Sequence, residues 1–297
     1  MRIGIAGTGK MGTAMGERLM AEGEELVVWN RTRERTQPLA HAGAAVAASP
    51  KGLACMADVV ITMLTDAAAI DATYRGKDGL LSGNVAGKLF VEMSTVRPEV
   101  AKKLAVDIGA RGAAMVEAPV GGSTGPARDG KLLALVGGEE EDVARARPIL
   151  EKLCRRVEHV GPVGAGASFK LAINLPLDIY WQALGEAFSL CRQHGVDPAR
   201  MAELFSDTSG GPAVMKIRHG LLAAAGEKVV GTVDLDALRK DMRAMLDEAK
   251  TLGVELPITA LTLVCYDKAA SAGLGALDPV NETAWWSSPE KPRLESR

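Results

Sequence analysis

Cysteines and aromatic residues are both scarce in this chain. There are four cysteines in 297 residues, and Phe, Trp and Tyr together supply 4%. Cys55, Cys154, Cys191 and Cys265 stand far apart with no Cys-x-x-Cys pair, which excludes a paired-cysteine zinc site and a disulfide framework. Reduced thiols in a cytoplasmic protein are the expectation. The four histidines, His41, His159, His194 and His219, have no ligand spacing, so no metal site is expected. No apolar run approaches the roughly 18 residues of a membrane-spanning helix. The apolar start is broken by glycines within its first ten residues, unlike a signal peptide. Charge of either sign is not in excess: 35 Lys and Arg balance 37 Asp and Glu, a net charge of −2. Such a surface offers nothing to attract nucleic acid or an anionic membrane.

What is present is ordinary in bulk and specific in detail. Apolar residues make up 47% and charged residues 24%, the composition of a soluble globular protein long enough for two domains. Arg2 to Ala6 reads as a buried strand and Met11 to Ala21 as a helix, with Gly7-Thr8-Gly9-Lys10-Met11-Gly12 between them. In this context each glycine has a task. Gly7 permits the tight turn, Gly9 lets a pyrophosphate approach the backbone, and Gly12 lets the helix pack on the strand. The helix N-terminus then offers its unpaired N–H groups and positive dipole end to the phosphates.

The second strand, Glu25 to Trp29, ends in Asn30-Arg31-Thr32-Arg33. A site for NAD places an acid here for the ribose 2′-hydroxyl, whereas a 2′-phosphate requires cationic and hydroxyl groups. The acid is absent. Arg31 can pair with the phosphate or stack on adenine and Thr32 can donate to it, so NADP(H) is the expected cofactor, with Asn30 beside them.

Further strands read at 57–64, 88–94, 113–118 and 132–137, with helices such as Pro98 to Gly109 and Glu140 to Leu153 between several of them. This alternation predicts α/β architecture: an N-terminal Rossmann doubly wound sheet over residues 1–161, with ligands beyond the carboxyl ends of its strands. Met63 and Leu64 at one strand end join the expected cofactor residues. After Gly161-Pro162 the chain becomes Ala- and Leu-rich and helix-periodic, predicting an all-α domain over 162–297. Lys170 and Asn174 lie four apart and so share one helix face, a proton-transfer group beside a hydrogen-bonding amide. Pro176 predicts a kink beside them. The tail from Ser287 to Arg297 is polar, with two prolines, and reads as unstructured.

Four segments in order, Gly7 to Gly12, Glu117-Ala118-Pro119-Val120-Gly121-Gly122-Ser123, Gly164 to Asn174, and Leu238-Arg239-Lys240-Asp241, make the chain resemble the β-hydroxyacid dehydrogenases from residue 1 to about residue 275. The resemblance implies that Lys170 is the catalytic lysine and that Asn174 orients the substrate. It implies that Gly121, Gly122 and Ser123 hold a substrate carboxylate and that Thr95 and Lys240 border the cofactor. It also implies hydride transfer between nicotinamide and a small hydroxy acid or semialdehyde in a homodimer or homotetramer. Asn-Arg-Thr after the second strand matches members that prefer NADPH.

The chain departs from the family pattern at two places. Gly121 stands where a substrate-contacting serine is usual, with Glu117 in place of Asp and Ser123 in place of the last glycine of the same segment; Pro176 is the second departure. Backbone N–H groups of 121–123 still form an anion-binding nest. Three rival readings share parts of this pattern: an imine reductase of the same fold, a non-catalytic cofactor-binding module, and a methyltransferase using the same glycine turn. The presence of Lys170 argues against the first two, and the third predicts binding of S-adenosylmethionine instead of NADPH.

Overall fold

A computed structural model of the chain describes residues 1–191, 194–212, 214, 215, 221 and 228–288. His219 and the tail from 289 onward, read above as unstructured, lie outside the described residues. The chain divides into two compact units, Met1–Ala172 and Ile173–Arg297.

The first unit runs β1 (Arg2–Ala6), α1 (Lys10–Ala21), β2 (Glu25–Trp29), α2 (Gln37–His41), β3 (Ala45–Val46), α3 (Pro50–Met56), β4 (Val59–Thr62), α4 (Ala67–Arg75) and β5 (Leu89–Glu92). It continues α5 (Pro98–Gly109), β6 (Ala114–Glu117), β7 (Val120–Gly121), α6 (Thr124–Arg128), β8 (Leu132–Gly137), α7 (Glu140–Leu153) and β9 (Cys154–Gly161). One sheet has the order β3-β2-β1-β4-β5-β6-β8-β7, with β9 paired to β8. The six strands from β3 to β6 in that order are parallel, while β8 runs antiparallel to β6 and β7. The Rossmann sheet predicted from the sequence is therefore present. Order reverses between β1 and β4, so the crevice at their carboxyl ends is the topological switch point.

Period-two alternation sends successive side chains of these strands to opposite faces, each covered by helices. Ile3, Ile5, Ile61 and Val91 join Met15 and Leu19 of α1 in one core. Ala6, Val60 and Phe90 join Leu53 of α3, Tyr74 of α4 and Leu104 of α5 in the other. Strand β9 had no sequence signal, because Arg155, Arg156, Glu158 and His159 interrupt its apolar residues.

Helix α8 (Ala165–Cys191) continues through Pro176, and the division between the two units falls inside it. The second unit adds α9 (Pro198–Ser206), α10 (Leu235–Leu252), α11 (Pro257–Ala269) and α12 (Pro279–Ser287). Asp197, Asp234 and Asp278 cap α9, α10 and α12 by accepting the N–H of Ala199, Ala237 and Val280. Trp181, Leu184 and Phe188 of α8 pack with Met242, Tyr266 and Val280 in its core. Among the described residues this unit contains no strand, and no helix is long and apolar enough to cross a membrane.

Candidate active site

The glycine turn is built as its sequence requires. Gly7 has φ +102°, and a Cβ there would strike the carbonyl of Met63. A Cβ on Gly12 would overlap the carbonyl of Gly7, so helix α1 packs on the turn only as glycine. Gly9 is different: nothing lies within 4 Å of the position its Cβ would take. That bare backbone faces open space at the start of α1, where Gly9 is the N-cap with no side-chain hydrogen bond and the first turn carries no acid. The positive end of α1 is thus left for an external anion, the cradle a dinucleotide pyrophosphate fits.

Asn30 ties this turn to the end of β2. Its Oδ1 accepts from the Thr8 N–H at 3.1 Å and its Nδ2 donates to the Thr32 carbonyl at 2.9 Å. The Thr8 hydroxyl donates to the carbonyl of Arg35 at 3.0 Å. A cavity of about 360 Å³ opens beside them, lined by Gly7, Gly9, Asn30, Arg31, Thr32, Met63 and Leu64 among others. Lys10 is exposed as the first residue of α1, and Met11 is half-buried against the core. Arg35, Lys77 and Asp78 also line the cavity. Arg35 escaped the sequence reading, although its spacing of four from Arg31 was available as a signal.

Below the cavity lies a buried polar network. Glu92, at the end of β5 and 1% exposed, accepts from the Thr62 hydroxyl at 2.6 Å and from the Ser94 N–H at 2.8 Å. Tyr74 pairs with the same Thr62 oxygen at 2.9 Å, and the Ser94 hydroxyl accepts from the Leu64 N–H at 2.8 Å. The chain segments carrying Met63, Leu64 and Thr95 are thereby pinned from beneath. Burial pushes the Glu92 carboxyl above its ordinary range, against the opposing pull of its donors, and pushes the Tyr74 phenol well up. An acid inside the apolar run Leu89 to Met93 was the sequence signal for this network.

Gly121 ends β7, and Gly122, at φ +122°, and Ser123 follow it on the surface. A Cβ on Gly121 would meet Leu133 only at ordinary contact distance, 3.8 Å, so the position has room for a side chain it lacks. Lys170 lies in the first two turns of α8, and Asn174 follows one turn later. In the helical unit the Asn174 amide donates to Asp241 Oδ2 at 3.1 Å, and Lys240 pairs with Asp241 Oδ1 at 2.9 Å. Asp241 therefore joins two of the predicted site residues, a link the sequence did not reveal. Among the described residues no group of three or more His, Cys, Asp or Glu could hold a metal ion.

Residues 2–161 match the family model described as the NAD binding domain of 6-phosphogluconate dehydrogenase. Residues 164–283 match the one described as NAD-binding of NADP-dependent 3-hydroxyisobutyrate dehydrogenase. The 3-hydroxyisobutyrate dehydrogenase of Pseudomonas aeruginosa is 34% identical over 276 residues, covering 91% of this chain and 92% of that protein. The chain belongs to the β-hydroxyacid dehydrogenase family. Among solved structures, Psf3 in complex with NADP+ and 2-OPP superposes with TM-score 0.86 at 29% identity, over 95% of this chain and 99% of that one. A reductive aminase from Aspergillus terreus shares the fold at TM-score 0.65 and 24% identity, over 96% and 99%. As a β-hydroxyacid dehydrogenase the protein is an oxidoreductase with a nicotinamide-binding Rossmann unit, as the glycine turn implied.

Proposed function

We propose that the protein is an NADP(H)-dependent reductase of small semialdehydes, interconverting them with the corresponding hydroxy acids. The carrying observation is the set of Arg31, Thr32 and Arg35 around the cavity, with no carboxylate at the end of β2. Two guanidinium groups and a hydroxyl match a 2′-phosphate dianion, and a bare ribose hydroxyl has no acid there to receive it. The cofactor, when bound, supplies or accepts the hydride.

The chain's own residues then handle charge and position. In reduction the Lys170 ammonium donates a proton to the developing alkoxide and stabilises its charge. Asn174, oriented by Asp241, holds the reacting oxygen. The backbone of Gly121, Gly122 and Ser123 receives the substrate carboxylate, and the space above Gly121 admits a substrate larger than a serine hydroxymethyl there would allow. Thr95 and Lys240 border the cofactor in this reading. A homodimer or homotetramer, assembled through the helical unit, completes it, in the cytoplasm.

The test is a panel of small semialdehydes, keto acids and cyclic imines assayed by NADPH and NADH consumption. Turnover of a semialdehyde with NADPH favoured at least about tenfold over NADH, as a charge-assisted contact would give, is the expected result. Turnover confined to cyclic imines, or equal use of the two cofactors, would contradict it.

A further inference from the structure

The start of α8 is held by a side chain from outside the helix. Glu117 at the end of β6 is 1% exposed, and its Oε1 accepts the N–H of Gly164 at 2.5 Å and of Gly166 at 2.8 Å. The N–H of Ala165 reaches the Pro162 carbonyl and that of Ser168 the Gly164 carbonyl, each at 3.0 Å. The N–H groups of Gly164 and Gly166 are thus satisfied by one buried side chain at the end of β6, and those of Ala165 and Ser168 by nearby carbonyls. A helix start normally leaves such groups to water or to a local cap, whereas here the cap is a charge fixed in the sheet.

The surroundings are shaped to admit that carboxylate. A Cβ on Gly137 would collide with Glu117 Oε1, and one on Gly166 would collide with the Leu135 carbonyl and crowd the same oxygen at 3.3 Å. Glycine at both positions allows the close approach. Gly166 and Lys170 are four residues apart, so the lysine stands one turn above an N–H that Glu117 holds, on the same face of α8.

We propose that Glu117 is a positioning residue for Lys170: by gripping the N–H groups that open α8 it fixes the rotation and height of the helix, and with them the place of the ammonium. The proposal rests on the reading of Lys170 as proton donor. Glutamine in place of Glu117 keeps the shape but loses the charge that holds two donors at one oxygen.

The test compares Glu117→Gln, Lys170→Ala and the double variant in the full chain, using NADPH and the panel aldehyde turned over fastest. Glu117→Gln should lower kcat on the order of tenfold while the KM for aldehyde and the NADPH dissociation constant, read by fluorescence, change less than about twofold. In the Lys170→Ala background the same change should have no further effect, since it acts through the lysine. Glu117→Asp keeps the charge and should recover part of the loss, and it carries the test alone if the glutamine variant does not fold. A kcat within about twofold of the unaltered protein, an equal loss in the Lys170→Ala background, or a loss of NADPH affinity in step with kcat would overturn the proposal. Failure of the lysine reading is separately visible, because Lys170→Ala alone would then remain active.

Discussion

At the scale of single residues, the cofactor reading depends on charge placed at one strand end. Arg31 and Arg35 line the cavity together, and Thr8 is tied to the Arg35 backbone, so the cationic pair and the glycine turn form one piece. Removing either guanidinium should cost a charge-assisted contact of roughly 1.5–3 kcal/mol, on the order of tenfold to a hundredfold in NADPH affinity. NADH affinity should stay nearly constant in Arg31→Ala and Arg35→Ala, and calorimetric titration with both cofactors checks the difference. Parallel losses for the two cofactors would remove the 2′-phosphate from the account. Much of this site was legible in the sequence. Gly7, Gly9 and Gly12 are dictated by backbone geometry, which local sequence encodes. Arg35 and Glu92 carried only a weak local signal and Asp241 none, because their partners Thr8, Thr62 and Asn174 are 27, 30 and 67 residues away, and only the fold brings them together.

At the scale of elements, apolar periodicity carried the prediction where strands are buried on both faces. Strands β1, β4 and β5 read as continuous apolar runs because parallel strands covered on both sides must be apolar throughout. Strand β9 fails that criterion. Among the described residues it pairs only with β8, and its exposed positions hold Arg155, Arg156 and His159, so its sequence resembles a loop. The polar network at the ends of β4 and β5 gives this scale its own prediction. Burial raises the Glu92 carboxyl above its ordinary value of 4.5. Well below that value the carboxyl is protonated in both the folded and unfolded chain, and it contributes nothing to pH dependence. As pH rises, the unfolded chain releases its proton first, so stability falls until the folded carboxyl also ionises. Glu92→Gln removes this linkage, with the Thr62 hydroxyl turning to accept from the new amide. The unfolding midpoint of the unaltered protein minus that of the variant should therefore decline as pH rises above about 4.5, followed by thermal denaturation. A difference that grows with pH would contradict the assignment.

At the scale of the whole molecule, the change in composition after Gly161-Pro162 marked where sheet gives way to helix, since one half needs strand periodicity and the other helix periodicity to bury its apolar residues. The two compact units divide later, after Ala172 inside α8. The helical unit leaves Ile258, Leu261 and Val264 of α11 about half exposed or more, on one face at spacings of three. In the oligomer proposed above, this face is covered by a second copy. Light scattering should then give at least a dimer at micromolar concentration, and Leu261→Asp should shift it toward monomer. A monomeric unaltered protein would set the oligomer aside.

The claim that matters most for the molecule is that Lys170 delivers the proton in a nicotinamide-dependent reduction. Its direct test is the turnover of Lys170→Ala on the best panel substrate, alongside NADPH binding to the same variant. The account predicts a folded protein with NADPH affinity close to normal and turnover lower by roughly 10²–10⁴-fold. Lys170→Ala retaining more than about a tenth of normal turnover, short of the low end of that range, would contradict it.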